Sequence, residues 1–181
     1  DKDTTQLNDP IYGFISIPNG VLFKLVEHPY FQRLRRISQM GMSYTVFPGA
    51  HHTRFLHAIG AMHLAQVAVQ TLRKKKVSIS DAEEEALCIA ILLHDIGHGP
   101  FSHAMEHSIV ENVNHENISL LFMEALNTEM KGALDLAIKI FKNEYHRPFF
   151  HQLIASQLDL DRLDYLRRDS FYTGASEGAI N

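Results

Sequence analysis

The chain has 181 residues, 45% of them hydrophobic and 21% charged, a size and composition that allow one domain to bury a core without covalent staples. A formal net charge of −4 and a pI of about 6.3 argue against a generally basic nucleic-acid-binding surface. One cysteine, Cys88, excludes an internal disulfide, no apolar run approaches membrane-spanning length, and no signal peptide opens the chain, so a cytoplasmic protein without a membrane partner is expected.

Residues Asp1–Asn8 are polar and read as loose. Ile11–Ile17, bracketed by Pro10 and Pro18 with Gly13 inside, reads as a short strand or hairpin arm, too small for a sheet domain. From Gly20 the pattern turns helical through Leu22, Leu25 and Val26, and a second helix after Pro29 carries Phe31, Leu34, Ile37 and Ser38. Arg33, Arg35 and Arg36 decorate that second helix, either as a solvated face or as an anion site. Gly41–His52, with Gly41, Pro48 and Gly49, is a loop. Arg54 opens a long helix to about Lys74, with Leu56, Ile59, Met62, Leu64, Val67 and Val69 supplying most of its core. His57 and His63 sit in it. A lone histidine in an apolar helix is more often a satisfied core residue than a ligand, but Arg54 one turn before His57 offers an anion contact beside a metal contact.

Ser80 followed by Glu83 is a capping box, so the next helix begins near Asp81 and delivers His94 and Asp95 at its far end. Cys88 falls in the apolar run of that helix and reads as a small buried thiol. A turn through Gly97, Gly99 and Pro100 follows, then a short helix around Ser102–Ile109 holding His103, Glu106 and His107. Asn114 caps a helix from His115 to Leu126, and Lys131–Lys142 is a further amphipathic helix with Leu134, Ile138 and Phe141 as its buried stripe. The last helix runs from about Phe149 to Arg168, with Gln157, Asp161, Asp164, Tyr165 and Arg168 on one face and Leu153, Leu160, Leu163 and Leu166 on the apolar side. No internal repeat or low-complexity tract interrupts this order.

The densest chemistry lies between Leu92 and His103, where His94, Asp95, His98 and His103 crowd around a glycine-rich turn. A histidine–aspartate pair at a helix end can simply bond the last carbonyls. An imidazole beside a carboxylate also suits a borderline divalent ion. Three separated helices offer His57, His94 with Asp95, and Asp161, a set that leaves coordination positions for water and substrate.

That order of donors resembles the HD-domain phosphohydrolase superfamily, an all-α helical bundle, here with a short N-terminal β element. Phe31-Gln-Arg-Leu-Arg, Val46-Phe-Pro-Gly-Ala, Arg54-Phe-Leu-His, the stretch His94–His103, His115-Glu and Asp159-Leu-Asp-Arg-Leu-Asp-Tyr resemble more closely the deoxynucleoside triphosphate triphosphohydrolases, a group with bacterial and animal members. The resemblance implies that His57, His94, Asp95 and Asp161 hold one divalent metal ion, among Mn, Fe, Mg, Zn, Ni and Co. His98, His103 and His115 would surround the triphosphate, one of them protonating the leaving 5′ oxygen, with Glu106 supporting the catalytic histidine. Arg54 and Arg162 would contact phosphate, and Gln39, Tyr165 and Asp169 would line a deoxyribose pocket able to exclude a 2′-hydroxyl. An activated water would attack the α-phosphorus and release deoxynucleoside and inorganic triphosphate.

Two departures stand out. In the animal members a carboxylate near Glu27 is an Asp that reads the guanine of an activating nucleotide, so Glu27, Arg33 and Arg35 are candidate effector-binding residues. The Asp that supports the catalytic histidine is Glu106 here. The expected partners are a nucleotide substrate, a nucleotide effector and further copies of the chain in a homodimer or homotetramer. Residues 1–181 are read as a single HD domain, the N-terminal part of a longer chain. Two other readings compete: a phosphohydrolase acting on another nucleotide or phosphoester, such as a nucleoside monophosphate or an alarmone, and a catalytically silent nucleotide-binding regulatory module.

Overall fold

The computed structural model describes residues 3–37, 53–97 and 115–156. Backbone proximity divides the chain into two compact units, Asp1–Leu64 with Ser156–Asn181, and Ala65–Ala155. The described residues are mostly helical, with one short sheet near the N-terminus, as the all-α expectation with a small β element requires.

In the first unit β1 (Thr4–Asp9) pairs antiparallel with β2 (Gly13–Pro18), Leu7 facing Ile15 and Asp9 facing Gly13. The expectation that Asp1–Asn8 is loose is therefore corrected for Thr4–Asn8, which lie in β1. A two-stranded ribbon buries one face only, so a polar sequence can form its outer arm; Ile15 and Ile17 are buried while Phe14 is 71% exposed. Asp9 closes the ribbon by accepting the N–H groups of Ile11 (3.0 Å) and Tyr12 (2.8 Å) through Oδ2, an aspartate turn followed by Gly13 at φ +78°.

Helix α1 (Val21–Glu27) buries Leu22, Leu25 and Val26, the predicted stripe. His28 precedes proline and is forced extended, at φ −68° and ψ 140°, which ends α1. The second helix is shorter than expected: α2 (Pro29–Gln32) tightens into a 3-10 helix (Arg33–Arg36) that stops at Ile37. Phe31 and Leu34 are three residues apart, and i, i+3 burial is satisfied by a 3-10 turn as well as by an α-helix.

Helix α3 (Arg54–Lys74) has the predicted bounds, and the Thr53 hydroxyl caps it by accepting the Leu56 N–H at 3.2 Å. Its buried face differs from the predicted stripe. In the first unit Phe55, Ala58, Ile59, Ala61 and Met62 are buried and Leu56 only partly; in the second, Ala65 and Val69 are buried and Val67 is 48% exposed. The small alanines carry much of the packing, and counting only large aliphatics misplaces the face. By length and composition α3 is long and apolar enough to cross a membrane, contrary to expectation; half of that stretch is buried within the protein, as in a core helix.

In the second unit α4 (Asp81–Leu93) starts at the expected capping box. The Ser80 hydroxyl accepts the Glu83 N–H (3.1 Å), and Glu83 accepts the Ser80 N–H (3.0 Å). From Ala86 to Leu93 every residue is buried, Cys88 included, and burial pushes its thiol far above the usual range. Helix α5 (His115–Glu129) and α6 (Asp135–Phe141) follow, and α6 packs on both α4 and α5. The expected helix over Lys131–Lys142 thus begins four residues later. Lys131 (φ 58°) and Gly132 (φ 89°) take left-handed backbone, and Asn127 fixes the turn by accepting the Leu134 N–H and donating to Asp135, both at 2.7 Å. Its buried stripe is Leu134, Ala137 and Ile140 rather than Leu134, Ile138 and Phe141. A last helix, α7, is described over residues 149–156, where Phe150 and Ile154 are buried; the rest of the expected helix to Arg168 lies outside the described residues.

Candidate metal centre

Helix α4 ends where its sequence places a histidine and an aspartate, and the geometry of that end is specific. His94 is 5% exposed and is the C-cap residue of α4, still in helical conformation. Its Nδ1 lies 2.5 Å from the Ile91 carbonyl oxygen. A carbonyl only accepts, so Nδ1 carries the proton and the lone pair of the neutral ring is on Nε2. Nε2 in turn lies 3.5 Å from Asp95 Oδ2. An imidazole whose tautomer is fixed by a backbone carbonyl, with its basic nitrogen beside a carboxylate oxygen, is the arrangement metal-ligating histidines use. The donor set, one neutral nitrogen and one anionic oxygen, fits a borderline divalent ion.

The turn is held at both ends. The Ile91 oxygen also accepts the His94 N–H (3.4 Å), and the Leu93 oxygen accepts the Ile96 N–H (3.1 Å). Beyond Asp95 the Gly97 N–H donates to the hydroxyl of Ser119 at 2.9 Å, and Ser119 is fully buried. Sequence marked Gly97 only as part of a turn and did not single out Ser119. The legible signal was a serine on the apolar stripe of α5, in line with Met123 and Leu126.

His57 is 3% exposed in α3, where its N–H donates to the Thr53 oxygen, and Arg54 begins that helix with its N–H donating to the Ile37 oxygen. Both belong to the first unit, whereas His94 and Asp95 belong to the second. Among the described residues no three His, Cys, Asp or Glu side chains form a cluster able to hold an ion. Of the expected ligands, therefore, His94 and Asp95 are brought together, while Asp161 lies outside the described residues. So do Gln39, His98, His103, Glu106, Arg162, Tyr165 and Asp169, and of His115 only the backbone, opening α5, is described.

The candidate effector residues lie in the first unit. Glu27 is exposed at the end of α1. Arg33 donates to the Tyr30 carbonyl at 2.9 Å, and burial lowers its pKa from the ordinary arginine value. Arg35 donates to Gln32 Oε1 at 2.7 Å, and its guanidinium sits 3.8 Å from the centre of the buried Phe55 ring. It is an exposed cation anchored by those two contacts.

The family model described as HD domain matches residues 54–169, from the head of α3 through the His94–Asp95 turn. The chain belongs to the HD domain family. This HD domain is 58% identical to a phosphohydrolase from Bacteroides thetaiotaomicron whose crystal structure superposes with a TM-score of 0.88, over 98% of this chain and 44% of that one. It is 35% identical to the Bacillus subtilis protein YwfO, over 94% of the chain and 40% of the relative. It is also 32% identical to the Dictyostelium discoideum homolog of the deoxynucleoside triphosphate triphosphohydrolase SAMHD1, over 97% of the chain and 38% of the relative. The chain thus spans less than half the length of these relatives.

Proposed function

We propose that this HD domain carries the metal-binding part of a phosphohydrolase that converts deoxynucleoside triphosphates to deoxynucleosides and inorganic triphosphate. The observation that carries the reading is the His94–Asp95 pair, with its tautomer set by the Ile91 carbonyl and its Nε2 beside a carboxylate. The name of the Dictyostelium relative supports the substrate class. In this reading His57, His94, Asp95 and Asp161 hold one divalent ion. The ion supplies positive charge to phosphoryl oxygens and makes nearby water more acidic.

The chain's own side chains do the rest. Arg54 and Arg162 neutralise charge building on the phosphate oxygens. Water oxygen bonds to the α-phosphorus and gives up a proton to solvent, the bond from phosphorus to the 5′ oxygen breaks, and a protonated histidine among His98, His103 and His115 gives that oxygen its proton. Glu106 orients this histidine. Gln39, Tyr165 and Asp169 receive the deoxyribose, Glu27, Arg33 and Arg35 receive a nucleotide effector, and the protein assembles as a homodimer or homotetramer.

A second reading, hydrolysis of another phosphoester, is favoured by one fact: the Bacteroides relative carries only the general name phosphohydrolase. Product analysis separates the two. The intact protein is incubated with each deoxynucleoside triphosphate and Mn2+ or Mg2+, with and without a second nucleotide, and the products are resolved by chromatography. Deoxynucleoside and tripolyphosphate in equal amounts are expected; orthophosphate, or turnover of monophosphates alone, would sink the triphosphohydrolase reading.

A further inference from the structure

A metal centre built on a helix-end turn depends on whatever keeps that turn from relaxing. His94 and Asp95 lie on the turn 94–97, which follows α4 directly. Its first half is tied to its own helix through the Ile91 and Leu93 carbonyls. Its second half is tied elsewhere, by the Gly97 N–H on Ser119 of α5. Gly97 and Ser119 are both buried, and they are 22 residues apart in sequence. Ser119 sits where an amphipathic helix ordinarily places an apolar side chain, one turn before Met123 and two before Leu126. An alanine there would pack as well and leave the Gly97 N–H without its acceptor, so the hydroxyl is justified by that bond.

We propose that Ser119 is a positioning residue of the metal centre: by holding the Gly97 N–H it fixes the far end of the turn on which His94 and Asp95 converge. The proposal rests on the metal-binding reading of that pair. Through its bond to the Gly97 N–H, Ser119 acts on both donors by way of the backbone. With the hydroxyl gone, the buried N–H must move toward water or another acceptor. Gly97 is only two residues beyond Asp95, so that movement turns the carboxylate away from the His94 Nε2.

The test is binding, separate from turnover. Intact wild-type protein and Ser119→Ala are titrated with Mn2+, free ion being read by electron paramagnetic resonance, and the visible absorption of the Co2+-loaded forms is recorded. Mn2+ affinity is expected to fall about 10- to 100-fold, the range for loss of a group that orients a metal ligand. The Co2+ bands should shift, while the metal-free variant keeps its helical circular dichroism. Unchanged affinity with unchanged Co2+ bands overturns the proposal, even if the metal-free variant is less stable. Should Ser119→Ala not fold, Ser119→Cys is read in its place: sulfur fits the position but accepts weakly, so a weaker Mn2+ site is expected and an unchanged one overturns the role. Wild-type protein that takes up no Mn2+ overturns the metal reading and this role with it, whereas uptake matched in the variant overturns this role alone.

Discussion

Glu83 serves two structures with one carboxylate. It completes the capping box of α4, and it receives the Tyr145 hydroxyl at 2.6 Å and Arg147 Nη1 at 2.8 and 2.9 Å, while Arg147 Nη2 reaches the Ser78 carbonyl. Burial alone would raise this carboxyl, but the Ser80 N–H, Tyr145 and Arg147 outweigh it and bring the pKa from 4.5 down to about 2. A carboxyl depressed on folding stabilises the protein fully above its unfolded value, and the contribution disappears as pH falls from 4.5 through about 2. Arg147 is partly exposed, so solvent screening discounts the gain to about 1–2 kcal/mol. Glu83→Gln is therefore expected to unfold at lower urea than wild type at pH 7, with the gap closing below pH 4.5; a gap independent of pH would show that the charge is not what stabilises. The half of this arrangement within four residues was legible in sequence as Ser80 and Glu83. Tyr145 and Arg147 were not, since no local pattern marks a partner more than 60 residues away.

At the scale of elements, strong local signals placed helices well, and weak periodicity misplaced their faces. Proline after His28, the capping box at Ser80 and the bounds of α3 were all readable, because each rests on sterics or hydrogen bonds between near neighbours. The start of α6 was not: Leu134, Ile138 and Phe141 fit a helical stripe on paper, but left-handed Lys131 and Gly132 begin the helix later and rotate Ala137 and Ile140 inward. Gly132 is the hinge of that correction. At φ +89° an added Cβ would be strained, and it would stand 3.2 Å from Asp135 Oδ2, the carboxylate that receives Asn127 through its other oxygen. Gly132→Ala is expected to destabilise the fold by about 1–2 kcal/mol, read as a lower thermal midpoint. Full stability in that variant would mean that the α5–α6 connection does not need the left-handed residue.

For the whole molecule, the proposed centre draws its four donors, at positions 57, 94, 95 and 161, from three separated places in the chain. Adjacency made the middle two legible, and the structure brings them together; the outer two stood as candidates on separate helices until the resemblance assigned them, because nothing local to a histidine in a helix or an aspartate on a polar face distinguishes a ligand from a bystander. Such a distributed set has a thermodynamic consequence. The unfolded chain does not hold these donors together, so the ion binds the folded state almost exclusively and stabilises it in proportion to the logarithm of its concentration. At 100 times the dissociation constant the gain is about 2.7 kcal/mol. Mn2+ added to the metal-free intact protein is thus expected to raise the thermal midpoint progressively, and a chelator to reverse the rise. Asp161→Ala and His57→Ala should each lose the Mn2+-dependent part while keeping a midpoint near that of the metal-free wild type. If either variant shows the full Mn2+ response, that residue is no ligand, and the ion is held by His94 and Asp95 with some other donor.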